Sequence, residues 1–277
     1  MKQVTLPGGE RVPALGMGTW NIGDHRHTRA EEIATLQLGL DLGLRLIDTA
    51  EMYGEGLSES LIGEAIKGRR DETFLVSKVY PQNAGRKGAV AACERSLRRL
   101  GTDRIDLYLL HWRGEVPFEE TMEAFLALRQ AGKIRHFGVS NLDLADMEEL
   151  WDVPGGDEVA ANQLLYNLSR RGIEFDLLPW LRERSVPVMA YSPIKQARLL
   201  RNPGLQSFAR SIGKTPAQVA LAWLLSRDDI IAIPKTGNRD RLRENFAALD
   251  LALTAEQLVA LDKLFPPPRH AQPLAML

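Results

Sequence analysis

A single cysteine, Cys93, is all the chain carries. No internal disulfide can form, and a reducing, cytoplasmic setting is expected. Cys93 falls in a helical pattern with Val90, Leu97 and Leu100, which reads as packing and not as redox chemistry. An excess of one charge is also missing: 35 lysines and arginines stand against 36 aspartates and glutamates, and the basic residues are scattered. That leaves no electrostatic footprint for nucleic acid or for an anionic membrane surface. Neither a membrane-length apolar run nor a stretch like a signal peptide is present. Nor does any strand-like segment run into a G-x-G-x-x-G loop, which argues against an open, doubly wound dinucleotide fold. Low-complexity tracts, internal repeats and composition breaks are lacking too, so residues 1–277 are expected to form one domain.

What the chain does have is alternation. Residues 3–13, QVTLPGGERVP, place Pro-Gly-Gly between short β-prone runs, a hairpin signal. Apolar strand patterns follow at 15–19, 44–49, 74–78, 105–111, 134–140, 159–163, 186–191 and 230–234. Helical patterns separate them. Thr28 with Glu31, Thr215 with Gln218 and Thr254 with Gln257 have capping-box spacing, and Gly43, Gly101 and Gly132 stand at helix ends. Eight strands, each followed by a helix, predict a closed parallel (β/α)8 TIM barrel with an N-terminal hairpin and extra helices near the C-terminus.

Three of these strands end on a polar group: 44–49 on Asp48, 74–78 on Lys78 and 105–111 on His111. Tyr53 lies five residues beyond Asp48. Strand ends converge on one face of a barrel, so these four would share one mouth. The set suits proton transfer. A phenol donates well only if its pKa falls from roughly 10, and an ammonium about 4 Å away would lower it by about three units before desolvation opposes it. A carboxylate is then needed to keep a buried lysine charged. Asp48, Lys78 and Tyr53 form such a relay, and His111 can orient or polarise a substrate oxygen beside the phenol. Taken singly, each has an ordinary explanation as a loop cap, wall residue, solvated lysine or strand-end histidine; the joint placement favours a site.

GMGTW (16–20), DTAEMYGEG (48–56), VSK (76–78), LLHW (109–112), GVSN (138–141), NQ (162–163), YSP (191–193) and IPKTG (233–237) run in order over nearly the whole chain. In this the sequence resembles the aldo-keto reductases. It is similar in particular to a bacterial branch associated with methylglyoxal reduction, through AEMYGEG, VSKVYP, LLHW, GVSNLD and the Pro-Gly-Gly at 154–156. The resemblance implies NADPH-dependent reduction of small aldehydes and ketones, with Tyr53 as general acid, Lys78 and Asp48 tuning it, and His111 positioning the carbonyl. That family binds its cofactor without a glycine-rich phosphate loop.

By the same resemblance Ser140, Asn141 and Gln163 would hold the carboxamide and Tyr191 would stack under the ring. Gly18, Thr19, Trp20, Ser192 and Pro193 belong to the same cofactor motifs. Lys235, Thr236 and Arg241 open a helix after the eighth strand, where cationic side chains and the helix dipole favour a 2′-phosphate. Without the resemblance, 235–243 reads as readily as a solvated face. Glu244 and Asn245 continue the adenine-side motif. Trp20, Tyr80, His111 and Trp112 would wall an apolar, fairly open pocket, since the tail beyond Phe265 is short. The family commonly includes monomers and no interface stripe is visible, so a monomer is expected.

Two other readings stand beside this one. His25 and His27 form an H-x-H pair after the first strand, where metal-dependent barrel hydrolases keep ligands, although a solvated loop explains both and no metal is expected. The second is a barrel that binds nicotinamide without catalysis. His136 and His270 read as surface or loop residues.

Overall fold

The computed structural model describes residues 1–23 and 27–277. Strands β1 (Gln3–Thr5) and β2 (Arg11–Pro13) form the antiparallel hairpin, with Val4 opposite Val12. Gly9, at φ 83°, supplies the left-handed residue its turn requires. Val4, Leu6 and Val12 are buried, and Glu10 meets Arg135 at 2.8 Å and His136 at 2.6 Å at the start of a barrel strand. The hairpin therefore plugs the end of the barrel opposite the expected site. His136 is not a loop residue: it lies within that strand and helps hold the plug.

The repeating part runs β3 (Met17–Gly18), α1 (Arg29–Asp41), β4 (Leu46–Asp48), α2 (Leu57–Ala65), β5 (Phe74–Val79), α3 (Arg86–Leu100), β6 (Ile105–Leu110), α4 (Phe118–Gln130), β7 (Ile134–Ser140) and α5 (Leu144–Trp151). It continues with β8 (Asn162–Leu165), α6 (Leu177–Glu183), β9 (Val188–Tyr191), α7 (Pro203–Ser211), α8 (Pro216–Leu225), β10 (Ile230–Ala232), α9 (Arg239–Phe246) and α10 (Ala255–Leu264). Strands β3 to β10 pair in chain order, all parallel. Bridges Leu15 to Ala232 and Gly18 to Lys235 join the first strand to the last and close the barrel. A side chain at Gly18 would come within 2.7 Å of the Ile233 carbonyl oxygen, so the closing seam needs a glycine there.

Both faces of β5 and β6 are buried throughout, as expected of parallel strands covered by helices. All three capping boxes read from the sequence form, and Gly101 ends α3 in the left-handed conformation. The sixth barrel strand is displaced toward the C-terminus relative to 159–163, because Leu164 and Leu165 pair with Ala190 and Tyr191. Cys93 is fully buried in α3 and burial pushes its thiol up to about 12, which fits a packing role. Among the described residues no helix is long and apolar enough to cross a membrane.

Candidate active site

Register alone brings the polar strand ends together. Asp48, the last residue of β4, stands opposite Gly18 and Val76, and Ser140, the last of β7, stands opposite Gln163. Lys78 is fully buried and its three donors are all engaged. Its Nζ meets Asp48 Oδ1 at 2.8 Å, the Thr49 carbonyl at 2.7 Å and Tyr53 Oη at 3.1 Å. Buried hydroxyls brace this end of the strands: Thr19 donates to the Asp48 carbonyl at 2.8 Å, and Ser58 lies between Thr19 and Thr49. The tyrosine arrives on a short loop that turns through Gly54 and Glu55, both in left-handed conformation.

Burial by itself would strip the proton from Lys78, but the charge of Asp48, the contact with Tyr53 and hydrogen bonds to both carry its pKa above the ordinary value. It is held as an ammonium. Tyr53 departs from the sequence expectation: burial raises its pKa more than Lys78 lowers it, Asp48 adds to the rise, and the balance lies above the usual value. Desolvation, which the lysine argument sets aside, wins. The phenol is thus held protonated beside a cation ready to stabilise its anion. Burial, with the Lys78 charge second, pushes His111 down to about 2, so the imidazole is neutral. Its Nδ1 is buried with no hydrogen-bond partner among the described residues. The His111 ring faces Tyr53 edge-on at 5.9 Å.

A cavity of about 800 Å³ opens from Tyr53, His111 and Trp112 and extends past Ser140, Asn141, Gln163 and Tyr191. Its other end is formed by Lys235, Thr236, Arg241, Glu244 and Asn245, with Gly18, Thr19, Trp20, Asp48, Ser192 and Pro193 along its length. Gln163 Nε2 donates to Asp48 Oδ1 at 2.7 Å and lies 2.9 Å from Met189 Sδ. Both amide hydrogens are engaged, which leaves the carbonyl oxygen for a ligand donor such as a carboxamide NH2. Asn141, at φ 56°, donates to the His111 carbonyl and Ser140 Oγ, both at 3.1 Å, and accepts from Tyr191 Oη at 2.9 Å. This fixes the Tyr191 ring as a cavity wall. At the far end Asn238 caps α9 by accepting from the Asp240 and Arg241 N–H groups, and Lys235 Nζ donates to the Asn21 carbonyl at 3.1 Å.

Two predicted site residues do not line the cavity: Lys78, buried beneath Tyr53, and Tyr80. The latter stands behind Trp112, edge-on with ring centroids 5.9 Å apart, and supports the wall from outside. Several lining residues went unread in the sequence: Asn21, Met52, Met276 and Leu277. Met52 carries a signal in hindsight, standing next to Tyr53. Met276 and Leu277 bring the segment that follows Phe265 to the mouth. His25 lies outside the described residues; His27 packs against Gly237 at the cationic end of the cavity. Among the described residues no group of three or more His, Cys, Asp or Glu side chains is placed to hold a metal ion.

A closed parallel barrel with a tyrosine, lysine, aspartate and histidine at its C-terminal mouth, and an elongated cavity ending in cationic groups, has the make-up of a carbonyl reductase. The chain belongs to the aldo/keto reductase family, whose sequence pattern matches residues 14–265. It is 50% identical to methylglyoxal reductase YeaE of Escherichia coli K12, over 100% of this chain and 99% of that one. A Trypanosoma cruzi 9,11-endoperoxide prostaglandin H2 reductase is 33% identical over 94% of this chain and 90% of that protein. An aldo/keto reductase from Klebsiella pneumoniae crystallised with NADP and acetate superposes with a TM-score of 0.97 at 48% identity, covering 100% and 99% of the two chains. A second structure from that organism, in complex with NADPH, gives 0.96 at 48% identity and the same coverage. The protein is an oxidoreductase of this family.

Proposed function

We propose that Tyr53, Lys78, Asp48 and His111 carry the proton-transfer half of the reduction of small aldehydes and ketones, dicarbonyls of the methylglyoxal type included. The observation that carries this reading is the chain of contacts from Asp48 Oδ1 through Lys78 Nζ to Tyr53 Oη, at 2.8 and 3.1 Å. NADPH, when bound, supplies the hydride. Ser140, Asn141 and Gln163 would hold its carboxamide and Tyr191 would back the ring; Lys235, Thr236 and Arg241 would hold the 2′-phosphate, with Glu244 and Asn245 on the adenine side. Gly18, Thr19, Ser192 and Pro193 frame the channel between.

The carbonyl oxygen docks between Tyr53 Oη and the neutral His111 imidazole, which donates a hydrogen bond to it. As negative charge gathers on that oxygen, the Tyr53 O–H bond breaks, its proton passes to the oxygen, and the phenolate left behind is stabilised by the Lys78 ammonium. A phenol whose pKa is raised keeps its proton until this moment, which suits reduction. Trp20 and Trp112 offer apolar walls, and the E. coli relative's name supports methylglyoxal as the compound to try first. A reducing cytoplasm fits the single buried cysteine, and the unit proposed to act there is a monomer spanning residues 1–277. Mixing the purified protein with NADPH and small aldehydes, methylglyoxal among them, should consume NADPH; no loss of its absorbance with any of them would overturn the reading.

A further inference from the structure

Glu51 lies between Asp48 and Tyr53 in the chain, and its side chain is 5% exposed. The proton path does not use it. Its Oε1 accepts from the Tyr80 N–H at 2.8 Å and from Asn83 Nδ2 at 3.0 Å, while Oε2 meets Arg95 of α3 at 3.2 Å. Its own N–H donates to the Lys78 carbonyl at 3.3 Å. One buried carboxylate thus pins the loop that carries Tyr53 to the loop that follows β5. A circuit of rings completes the connection: Tyr80 packs edge-on against Trp112, Trp112 lies 4.8 Å from His111, and His111 faces Tyr53.

We propose that Glu51 is a positioning residue that sets the spacing between the Tyr53 loop and the His111–Trp112 wall, and so the fit of small carbonyl substrates. Tyr53 reaches Lys78 from a turn whose next three residues, Gly54, Glu55 and Gly56, are all left-handed. Strand pairing holds the chain as far as Val79, and at the next residue the Glu51 carboxylate is the acceptor that fixes the Tyr80 N–H and with it the ring against Trp112. Without that anchor the wall can move away from the phenol. A small carbonyl compound, which fills little of the gap, loses more of its orientation than a bulky one that spans it.

The inference rests on the reading that the carbonyl docks between Tyr53 and His111, and the two can fail separately. In the parent protein, Tyr53→Phe tests that reading; Glu51 variants test this one. Glu51→Ala should raise KM for a three-carbon aldehyde about tenfold, leave NADPH affinity within twofold, and lower kcat/KM for a substituted benzaldehyde by less than threefold. A loss confined to folding would scale both aldehydes alike. Glu51→Gln keeps an oxygen for the Tyr80 N–H and should restore the small-aldehyde KM to within about threefold of the parent. If Glu51→Ala does not fold, Tyr80→Leu leaves the backbone anchor but removes the ring behind Trp112, and the same selective rise in KM is expected. An unchanged ratio of kcat/KM for the small and bulky aldehydes, in whichever of Glu51→Ala and Tyr80→Leu is folded, overturns the proposal.

Discussion

Gln163 Nε2 and Lys78 Nζ meet the same oxygen, Asp48 Oδ1, at 2.7 and 2.8 Å. A residue on the cofactor side of the cavity therefore shares an acceptor with the proton relay. With both donors on one oxygen, Gln163 helps hold the Asp48 carboxylate in the orientation that pairs it with Lys78. Replacing it with leucine removes that donor and the oxygen left for the ligand. Gln163→Leu should weaken NADPH about tenfold, in line with roughly 1–3 kcal/mol for a buried hydrogen bond, and should lower kcat even at saturating NADPH. Fluorescence titration and steady-state rates separate the two; an unchanged kcat would show the shared oxygen has no part in the relay.

Removing the phenolic oxygen tests the donor itself. Tyr53→Phe deletes the proton that balances hydride addition but leaves the ring against His111, so kcat should fall by roughly 10²–10⁴ while NADPH affinity changes little. A rate within severalfold of the parent would exclude Tyr53 as the acid.

Lys78 and Asp48 differ from Tyr53 because both are buried charges. Lys78→Met strands the Asp48 carboxylate and should cost about 3–5 kcal/mol of stability. The double variant with Asp48→Asn contains no stranded charge and should recover most of that loss without recovering activity. Urea denaturation of the three proteins gives the comparison, and equal stability of the single and double variants would show that Asp48 does not depend on Lys78.

At the other end of the cavity, Lys235 should read charge. Lys235→Ala is expected to weaken NADPH by about tenfold or more, as loss of a charge-assisted contact implies, with NADH affected less than twofold. Equal losses for the two cofactors would place Lys235 outside the phosphate site.

Much of this architecture was legible because each signal was local. Helix caps such as Thr28 with Glu31, a glycine stop such as Gly101, and apolar strands ending on Asp48, Lys78 and His111 depend on neighbours within a few residues. Barrel closure then needs only the order of the elements. Tyr80 was misplaced for the opposite reason: whether a side chain faces the cavity or the back of its wall depends on how Trp112, from the loop after β6, packs over it. The same holds for Met276 and Leu277, whose approach to the mouth no local pattern encodes. The Tyr53 pKa depended on how much burial opposes the lysine charge, a quantity that exists only once the loop is folded.

Held neutral with a pKa of about 2, His111 gives the last test its sign. Unfolded, the ring takes a proton near 6.5; folded, it resists until far lower pH, so below pH 6.5 the unfolded chain binds more protons. The stability tied to this ring is complete above pH 6.5 and declines as the pH falls toward 2, by about 1.4 kcal/mol per pH unit. Between pH 6.5 and 5 the parent should therefore lose about 2 kcal/mol more than His111→Gln, which has nothing to protonate. Activity carries a matching signature. A neutral imidazole and a phenol whose pKa is raised predict a flat kcat from about pH 5.5 to 9, with no inflection near the ordinary histidine value. An inflection near pH 6.5, together with parallel acid unfolding of parent and variant, would mean that the ring titrates freely and does not meet the carbonyl as a neutral donor.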